Sequence, residues 1–544
     1  MDLASQKFDF IVVGSGSAGG ALVARLSESG TYRVLCLEAG TKGPEYIFTQ
    51  PPGATVYLVD NPKVNWRYWS EPDESHGNRP IYVPRGKMLG GSSSINGTIY
   101  NRGQAIDYDT WAQMGCRGWS YNEVLTFLKK LETTSIGEDD FRGRSGPIRV
   151  TEASILTPFY DLFFRAAESI GIPRNADYSG KSQEGTALAQ QTVSRGKRQS
   201  TATQYIAPAK RRSNVTVLTG AEVESLLLQG RHCEGVRFRH NGRLHEVRAS
   251  REVIVSCGTA NTPKLLELSG IGNPEVLNAH GIETRHALPG VGENLRDHYA
   301  AVMKWTFNRP GLSIAPIGRG WRLAREVLRY VFLRKGFISQ GLGTLRVFAR
   351  SRPELDVPDI MMVVAPFIIE LNEGQTRSMS KTEGFFMYSH PQRTESAGSI
   401  HIRSANPSDP PKIRFNFLGT PGDRQAAIGA VRRAREIIAV PELAQTIAAE
   451  LQPGPAVQSD EEILEFLRTQ GQITHHMVGT CRMGHDPLAV VDDRLRVHGM
   501  TGLRIADASI MPTMPSGNTN IPSIMVGEKC AAMVLEDAAA VAAA

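Results

Sequence analysis

Apolar runs broken by glycine clusters set the pattern of the first forty residues. Phe8 to Val13 is apolar and stops at a glycine cluster. Ala21, Leu22, Ala24, Arg25 and Leu26 then form a helix-like stretch, and Val34 to Leu37 forms a second run closed by Glu38. Strand, glycine turn, helix and strand within about 30 residues make a βαβ unit and predict a parallel, doubly wound sheet. Residues 51–121 are rich in Gly, Pro, Trp and Tyr and read as long ordered loops wrapped over something. Strand patterns return over 215–228 and 245–256, and Pro263 to Leu268 reads as a helix that stops at Gly270. Between 305 and 490 the pattern changes. Runs such as Asp359 to Val364 and Ile400 to Arg403 alternate with helical stretches such as Arg424 to Ile438. That predicts an antiparallel sheet with helices. Leu503 to Ala506 reads as a further strand, followed by a Pro/Asn-rich loop and a last helix. The terminal run AAAVAAA is expected to fray.

With 544 residues the chain exceeds one compact core and is expected to form two domains. The net charge of +6 is mild, and no Lys/Arg block is interleaved with aromatics, so nucleic acid is not an expected partner. Six scattered cysteines form no C-x-x-C pair and predict buried thiols in a reducing compartment. The first residues lack the pattern of a signal peptide, and no apolar stretch reaches 18 residues, so the cytoplasm is the expected location.

Gly14-Ser15-Gly16-Ser17-Ala18-Gly19 matches G-x-G-x-x-G after a strand and before a helix. The first glycine permits the tight turn, the second lets backbone approach a pyrophosphate, and the third lets helix pack on strand. The N–H groups and positive end of the helix then face the phosphates. Glu38, with Ala39 beside it, ends the second strand, where its carboxylate can accept from ribose hydroxyls and would repel a 2′-phosphate. The motif alone does not choose between FAD and NAD.

Three further segments decide. They are Gly86-Lys87-Met88-Leu89-Gly90-Gly91-Ser92-Ser93-Ser94-Ile95-Asn96-Gly97-Thr98-Ile99-Tyr100, the run Gly258 to Gly272 (GTANTPKLLELSGIG), and His476 to Gly484 (HMVGTCRMG) followed by Asp507-Ala508-Ser509 and Gly517-Asn518-Thr519-Asn520. From about Phe8 to Lys529 the chain resembles the glucose–methanol–choline flavin oxidoreductases, nearest the bacterial alcohol and choline dehydrogenases and hydroxymethylfurfural oxidases. The resemblance implies an α/β plus α+β fold. A discontinuous Rossmann-like FAD-binding domain would span 1–155, 195–305 and 490–540, and a substrate domain on an antiparallel sheet flanked by helices would span 156–194 and 306–489. It implies FAD with Gly91, Asn96 and Gly97 beside the ring system, Val223 at the adenine edge, and Asp507 and Ala508 near the ribityl chain. Some members attach FAD through a histidine at the position of Ile95, so non-covalent FAD is expected here.

His476 occupies the family's histidine position and Asn518 a position where members carry His or Asn. Oxidising an alcohol requires removal of the hydroxyl proton, and a neutral imidazole suits that role. A carboxamide can donate to the developing alkoxide. His475 stands where an aromatic residue is usual and is expected to cover the flavin edge, tune it or pack. His475, His476 and His485 do not suggest a metal site, because adjacent side chains do not readily converge on one ion. Thr474 sits where oxidases of the subgroup often place a small apolar residue, so oxygen reactivity stays open. Met362, Val364, Phe367 and Trp66-Arg67-Tyr68-Trp69 are candidate pocket walls. Arg85, Lys87 and Arg102 read either as site residues or as solvated charges.

The expected reaction is oxidation of a primary, apolar or aromatic alcohol, with oxygen or a quinone-type acceptor. A cyanohydrin-type lyase, a choline-type dehydrogenase and a non-enzymatic flavin-binding protein are the alternatives. Residues 319–335 place Ala324, Val327, Leu328 and Val331 on one helical face and Arg322, Arg325 and Arg329 on another. Such a helix can lie on the inner face of a membrane. A packed helix with a solvated basic face is the preferred of the two readings.

Overall fold

The first apolar run forms the strand Phe8–Val13 in the computed structural model, which describes residues 6–41, 47–341, 343–371 and 377–543. This strand lies inside a seven-stranded sheet. Val34–Glu38 pairs parallel on one side and the end of Arg243–Val255 parallel on the other. Val215–Thr219 and Leu503–Ile505 extend the parallel part at its two ends. Upstream in Arg243–Val255, the strand pairs antiparallel with His232–His240, which pairs with Ala221–Gln229. Val34–Glu38 is buried at every residue, as expected of a parallel strand covered on both faces. The helices Ser17–Leu26 and Asn520–Ala543 pack together beside this sheet. The last helix takes in the alanine-rich run up to Ala543. Ala544 lies outside the described residues.

The second large sheet is antiparallel throughout, in the order Ile447–Gln452, Tyr299–Phe307, Gly384–Pro391, Ile360–Ala365, Leu345–Ala349, Gly185–Leu188, with Gln472–Ile473 added beside Tyr299. One face carries Leu345, Val347, Met362 and Val364 into a core shared with the helix Pro421–Ile438. The opposite face, bearing Arg346, Met361, Val363, Tyr388 and His390, turns toward the first sheet and lines a cavity. Met362 and Val364 are therefore core, and the pocket wall is one residue out of step with the expectation. Side chains alternate along a strand, so a shift of one exchanges the faces.

Residues 51–121 are not plain loops. They contain the paired strands Tyr68–Trp69 and Tyr82–Val83, the turn Gly91–Ser94 and the helix Ala105–Gln113. His401 ties the strand Ser399–His401 to two other segments of the chain. It bonds Glu267 at 2.7 Å and Glu293 at 3.1 Å. Burial disfavours its imidazolium, but the two carboxylates outweigh that and raise its pKa to about 9. All six cysteines are free thiols.

The helix Gly320–Leu333 differs from the preferred sequence reading. It buries only Glu326 and Tyr330, while Trp321, Leu328 and Phe332 are 69%, 56% and 78% exposed. Its apolar face is not packed on the protein. Among the described residues no helix is long and apolar enough to cross a membrane.

Candidate active site

The glycine turn forms the floor of the site. Gly14 has φ +96°, and a Cβ at Gly19 would lie 2.0 Å from the Gly14 carbonyl oxygen. Neither position admits a larger residue. Gly16 has an ordinary φ of −65°, and a Cβ there would meet no protein atom within 4 Å. It opens onto a cavity of about 500 Å³ that reaches from the first sheet to the second. The helix Ser17–Leu26 begins here with no side-chain cap and no acidic residue in its first turn. Its free N–H groups and positive end thus favour an anion at Gly16.

Of the expected cofactor residues, Gly14, Gly16, Ser17, Ala18, Glu38, Ala39, Gly91, Asn96, Gly97, Val223, His475, Asp507 and Ala508 all line this cavity. Gly19 does not line it and serves the turn alone. Glu38 is buried and accepts from Ser15 N (3.0 Å), Ser15 Oγ (2.6 Å) and Gly40 N (2.8 Å). It ties the turn together and keeps acceptor capacity for a ligand, since a carboxylate offers about four lone-pair sites. Burial raises its pKa against the pull of those bonds. Asp507 accepts from Gly258 N (2.9 Å), Thr262 Oγ1 (2.6 Å) and Ser509 N (2.8 Å), which fixes Ala508 at the cavity wall. Asn96 directs its Oδ1 to Thr98 N and Arg198 Nη1, so its carboxamide braces the loop. These residues fit a dinucleotide: a floor without side chains, a helix end for the pyrophosphate and a carboxylate for hydroxyls.

At the far end His476 and Asn518 converge. Asn518 Nδ2 donates to His476 Nε2 at 2.8 Å, although the two lie 42 residues apart in sequence. The surrounding network assigns the tautomer of His476. His298 Nε2 lies 2.7 Å from the Gln392 carbonyl, which only accepts, so that nitrogen carries a proton. Burial and the neighbouring His390 hold His298 neutral, well below the usual histidine range. Its Nδ1 therefore accepts, and the donor across the 3.0 Å contact is His476 Nδ1–H, which also meets Thr474 Oγ1 at 2.7 Å. His476 Nε2 therefore carries the lone pair, which accepts from Asn518 at the cavity wall. Burial foremost, with the nearby imidazoles and the Arg85 guanidinium acting in the same direction, keeps His476 well below the usual range and so unprotonated at neutrality. Asp297 Oδ1 accepts from the backbone N–H of both His298 and His476 at 2.8 Å. Burial raises the Asp297 carboxyl to about 7.

Asp297, His298 and His476 bring ligand-type atoms within 4.8 Å of one another, and the hydrogen bonds above account for that approach. His485 lies apart, against Asp493. His475 sits at φ +67°, and its carbonyl accepts from Arg85 Nη2 at 2.6 Å. Arg85 is thus part of the site. Lys87 pairs with Glu222 and lies over the Trp66 ring, and Arg102 is buried against Glu132. Each of the three has a partner in the protein. Trp66 and Phe367 line the cavity, whereas Tyr68 packs in the core and bonds Asn261. Asp297 and His298 escaped the sequence reading. They stand together at the start of a strand, 178 residues from His476, and carry no periodic signal.

Two models of the GMC oxidoreductase family match the chain, the N-terminal one over residues 8–300 and the C-terminal one over 394–527. The chain is 40% identical to an oxygen-dependent choline dehydrogenase of Rhizobium johnstonii, over 97% of this chain and 95% of that protein. It is 39% identical to the protein of that name from Chromohalobacter salexigens, over 96% and 94%. Among solved structures it is similar to a formate oxidase, with TM-score 0.91, 27% identity and coverage of 98% and 99%. It is likewise similar to pyridoxine 4-oxidase from Mesorbium loti, with TM-score 0.88, 27% identity and coverage of 97% and 99%.

Proposed function

The chain belongs to the GMC oxidoreductase family, as an FAD-dependent enzyme acting on CH–OH donors, and from that premise we propose that it oxidises a primary alcohol with an apolar or aromatic body to the aldehyde. FAD supplies the hydride acceptor. Ile95 offers no atom for a covalent link, so the cofactor is held non-covalently by the Gly14–Gly19 turn, Glu38, and the Gly91 and Asp507-Ala508 segments. His476 Nε2 takes the hydroxyl proton. The observation that carries this reading is the 2.8 Å contact of Nε2 with the Asn518 amide at the cavity wall, which sets base and donor where one alcohol oxygen that displaces this bond can meet both. Asn518 donates to the oxygen as negative charge develops there, and loss of the proton makes the carbinol hydride easier to remove. His298 and Thr474 hold the proton on Nδ1 and so keep Nε2 available. The apolar side chains of Met361, Val363, Phe367 and Phe386 exclude water from the alcohol's body.

Anaerobic addition of substrate to the holoenzyme is expected to bleach the visible flavin absorbance, read across aliphatic, aromatic and choline-type alcohols. A holoenzyme that stays oxidised with every class defeats the proposal, and turnover without bleaching would instead indicate a lyase. Choline oxidation is the second reading, favoured by the names of the 40% identical relatives.

For reoxidation we propose oxygen or a membrane quinone, the latter reached through the helix Gly320–Leu333. Its exposed Trp321, Leu328 and Phe332 sit among exposed Arg322, Arg325, Arg329, Arg334 and Lys335. That combination complements an anionic bilayer, at about 1 kcal/mol per basic side chain near the surface. The protein is expected to co-sediment with phosphatidylglycerol vesicles and not with phosphatidylcholine ones, and Phe332→Glu with Trp321→Glu to abolish this. Equal recovery with both lipids, or no effect of the pair, rejects membrane contact.

A further inference from the structure

Five arginines are buried among the described residues, and four of them have ready acceptors. Arg102 and Arg142 share Glu132, Arg504 has Glu252 and Asp537, and Arg198 is surrounded by carbonyls and by Asn96 Oδ1. Arg346 is the exception. It is 2% exposed, and its one hydrogen bond runs from Nη1 to the carbonyl of its own neighbour Leu345 at 3.1 Å. Its Nε has no acceptor, and no carboxylate pairs with it among the described residues. A guanidinium carries five N–H donors, and a buried charge left this way is costly unless something pairs with it.

Its place in the sheet shows what could do so. Arg346 lies opposite Val363, which lies opposite Tyr388, on the face that lines the cavity. Neighbouring strands are roughly 4.8 Å apart, so this row spans about 10 Å of wall. His390 stands two residues beyond Tyr388, with its ring 4.7 Å from that of His298, which bonds His476. The wall thus runs from a buried cation, across Val363 and Met361, to the base. The acidic residues lining the cavity, Glu38, Glu222 and Asp507, belong to the cofactor half, where Glu222 pairs with Lys87 and Asp507 is engaged with Gly258 and Thr262.

We propose that Arg346 receives a carboxylate carried by the substrate, so that the alcohols oxidised are hydroxy acids whose hydroxyl and carboxylate are separated by an apolar spacer. This rests on the alcohol-oxidation reading and narrows it. The spacer occupies the apolar wall, and the carboxylate takes the N–H donors that the fold leaves unused. Burial already pushes the guanidinium down to about 10, which a bound carboxylate would reverse. A quaternary ammonium in the same place would face a like charge with no acid on that wall.

The test uses holoenzyme and ω-hydroxyalkanoates of four to eight carbons, each compared with the 1-alkanol of equal length. Anaerobic flavin bleaching is expected to be at least about 30-fold more efficient with the hydroxy acid at the best length, the scale expected for a buried, hydrogen-bonded charge pair. Arg346→Met should bring that ratio close to one, and Arg346→Lys should restore part of it. Plain alkanoates, which have no hydroxyl, should bind and perturb the flavin spectrum of the wild type but not of Arg346→Met. Wild-type ratios near one at every length overturn the proposal, whether or not the variants fold. Alcohols that bleach the flavin while alkanoates fail to bind reject the carboxylate site and leave alcohol oxidation standing. Alkanoates that bind through Arg346 when no alcohol bleaches the flavin support the carboxylate site and reject the oxidation reading.

Discussion

His476→Ala will retain FAD and lower the rate of flavin reduction by alcohol by about 10²–10⁴-fold, the range a positioned general base contributes. The substitution removes the Nε2 lone pair and leaves the cofactor floor at Gly14–Gly19 untouched. Stopped-flow reduction in the absence of oxygen isolates this step from reoxidation. The pH profile gives a second, independent readout. Burial above all, with the Arg85 guanidinium nearby, depresses the pKa of His476, so it is unprotonated through neutrality. The wild-type rate should therefore be flat from neutral pH upward and fall only in acid, as the imidazole gains a proton. The alanine variant should lose that acid limb. A variant that reduces flavin at the wild-type rate, or keeps the same acid limb, shows that the proton leaves by another group.

The cofactor half of this site was legible because its chemistry is local. The turn Gly14–Gly19, the strand before it and Glu38 after it lie within one βαβ unit, and their spacing dictates the geometry. His476 and Asn518 came from a family pattern, since nothing in their own neighbourhoods brings residues 42 apart together. The pocket wall failed for a physical reason. Met361 and Met362 are both fully buried, because this stretch of sheet is covered on both faces and a doubly covered strand shows no alternation. Sequence cannot then say which face meets the ligand. Arg346 did carry a signal, as a lone cation inside the apolar strand Leu345–Ala349, where a charge is expected only if something pairs with it. For residues 319–335 the pattern gave the two faces correctly but not which one met the protein, because periodicity describes a helix and not its neighbours.

Gly16→Val should weaken FAD binding by roughly 10²–10⁴-fold while the apoprotein folds normally, and Gly19→Val should prevent folding. Both change the same turn, so the contrast separates the ligand's space from the protein's. At Gly19 the new Cβ would fall 2.0 Å from a backbone oxygen that cannot move without opening the first strand-to-helix turn. At Gly16 the backbone angle is ordinary and an added Cβ would meet no protein atom within 4 Å. Only something outside the chain can object to a side chain there. If that something is a pyrophosphate on the N–H groups of the helix beginning at Ser17, displacing it forfeits about two charge-assisted hydrogen bonds, or roughly 10²–10⁴-fold in affinity. Thermal unfolding reads both halves of the claim. The Gly16→Val apoprotein should melt with wild-type apoprotein, and added FAD should raise the melting temperature of the wild type far more than that of the variant, because a ligand stabilises a protein according to how tightly it binds. Tight FAD binding by Gly16→Val would mean that the nucleotide does not cross this turn, and the assignment of Glu38 to its ribose would fall with it.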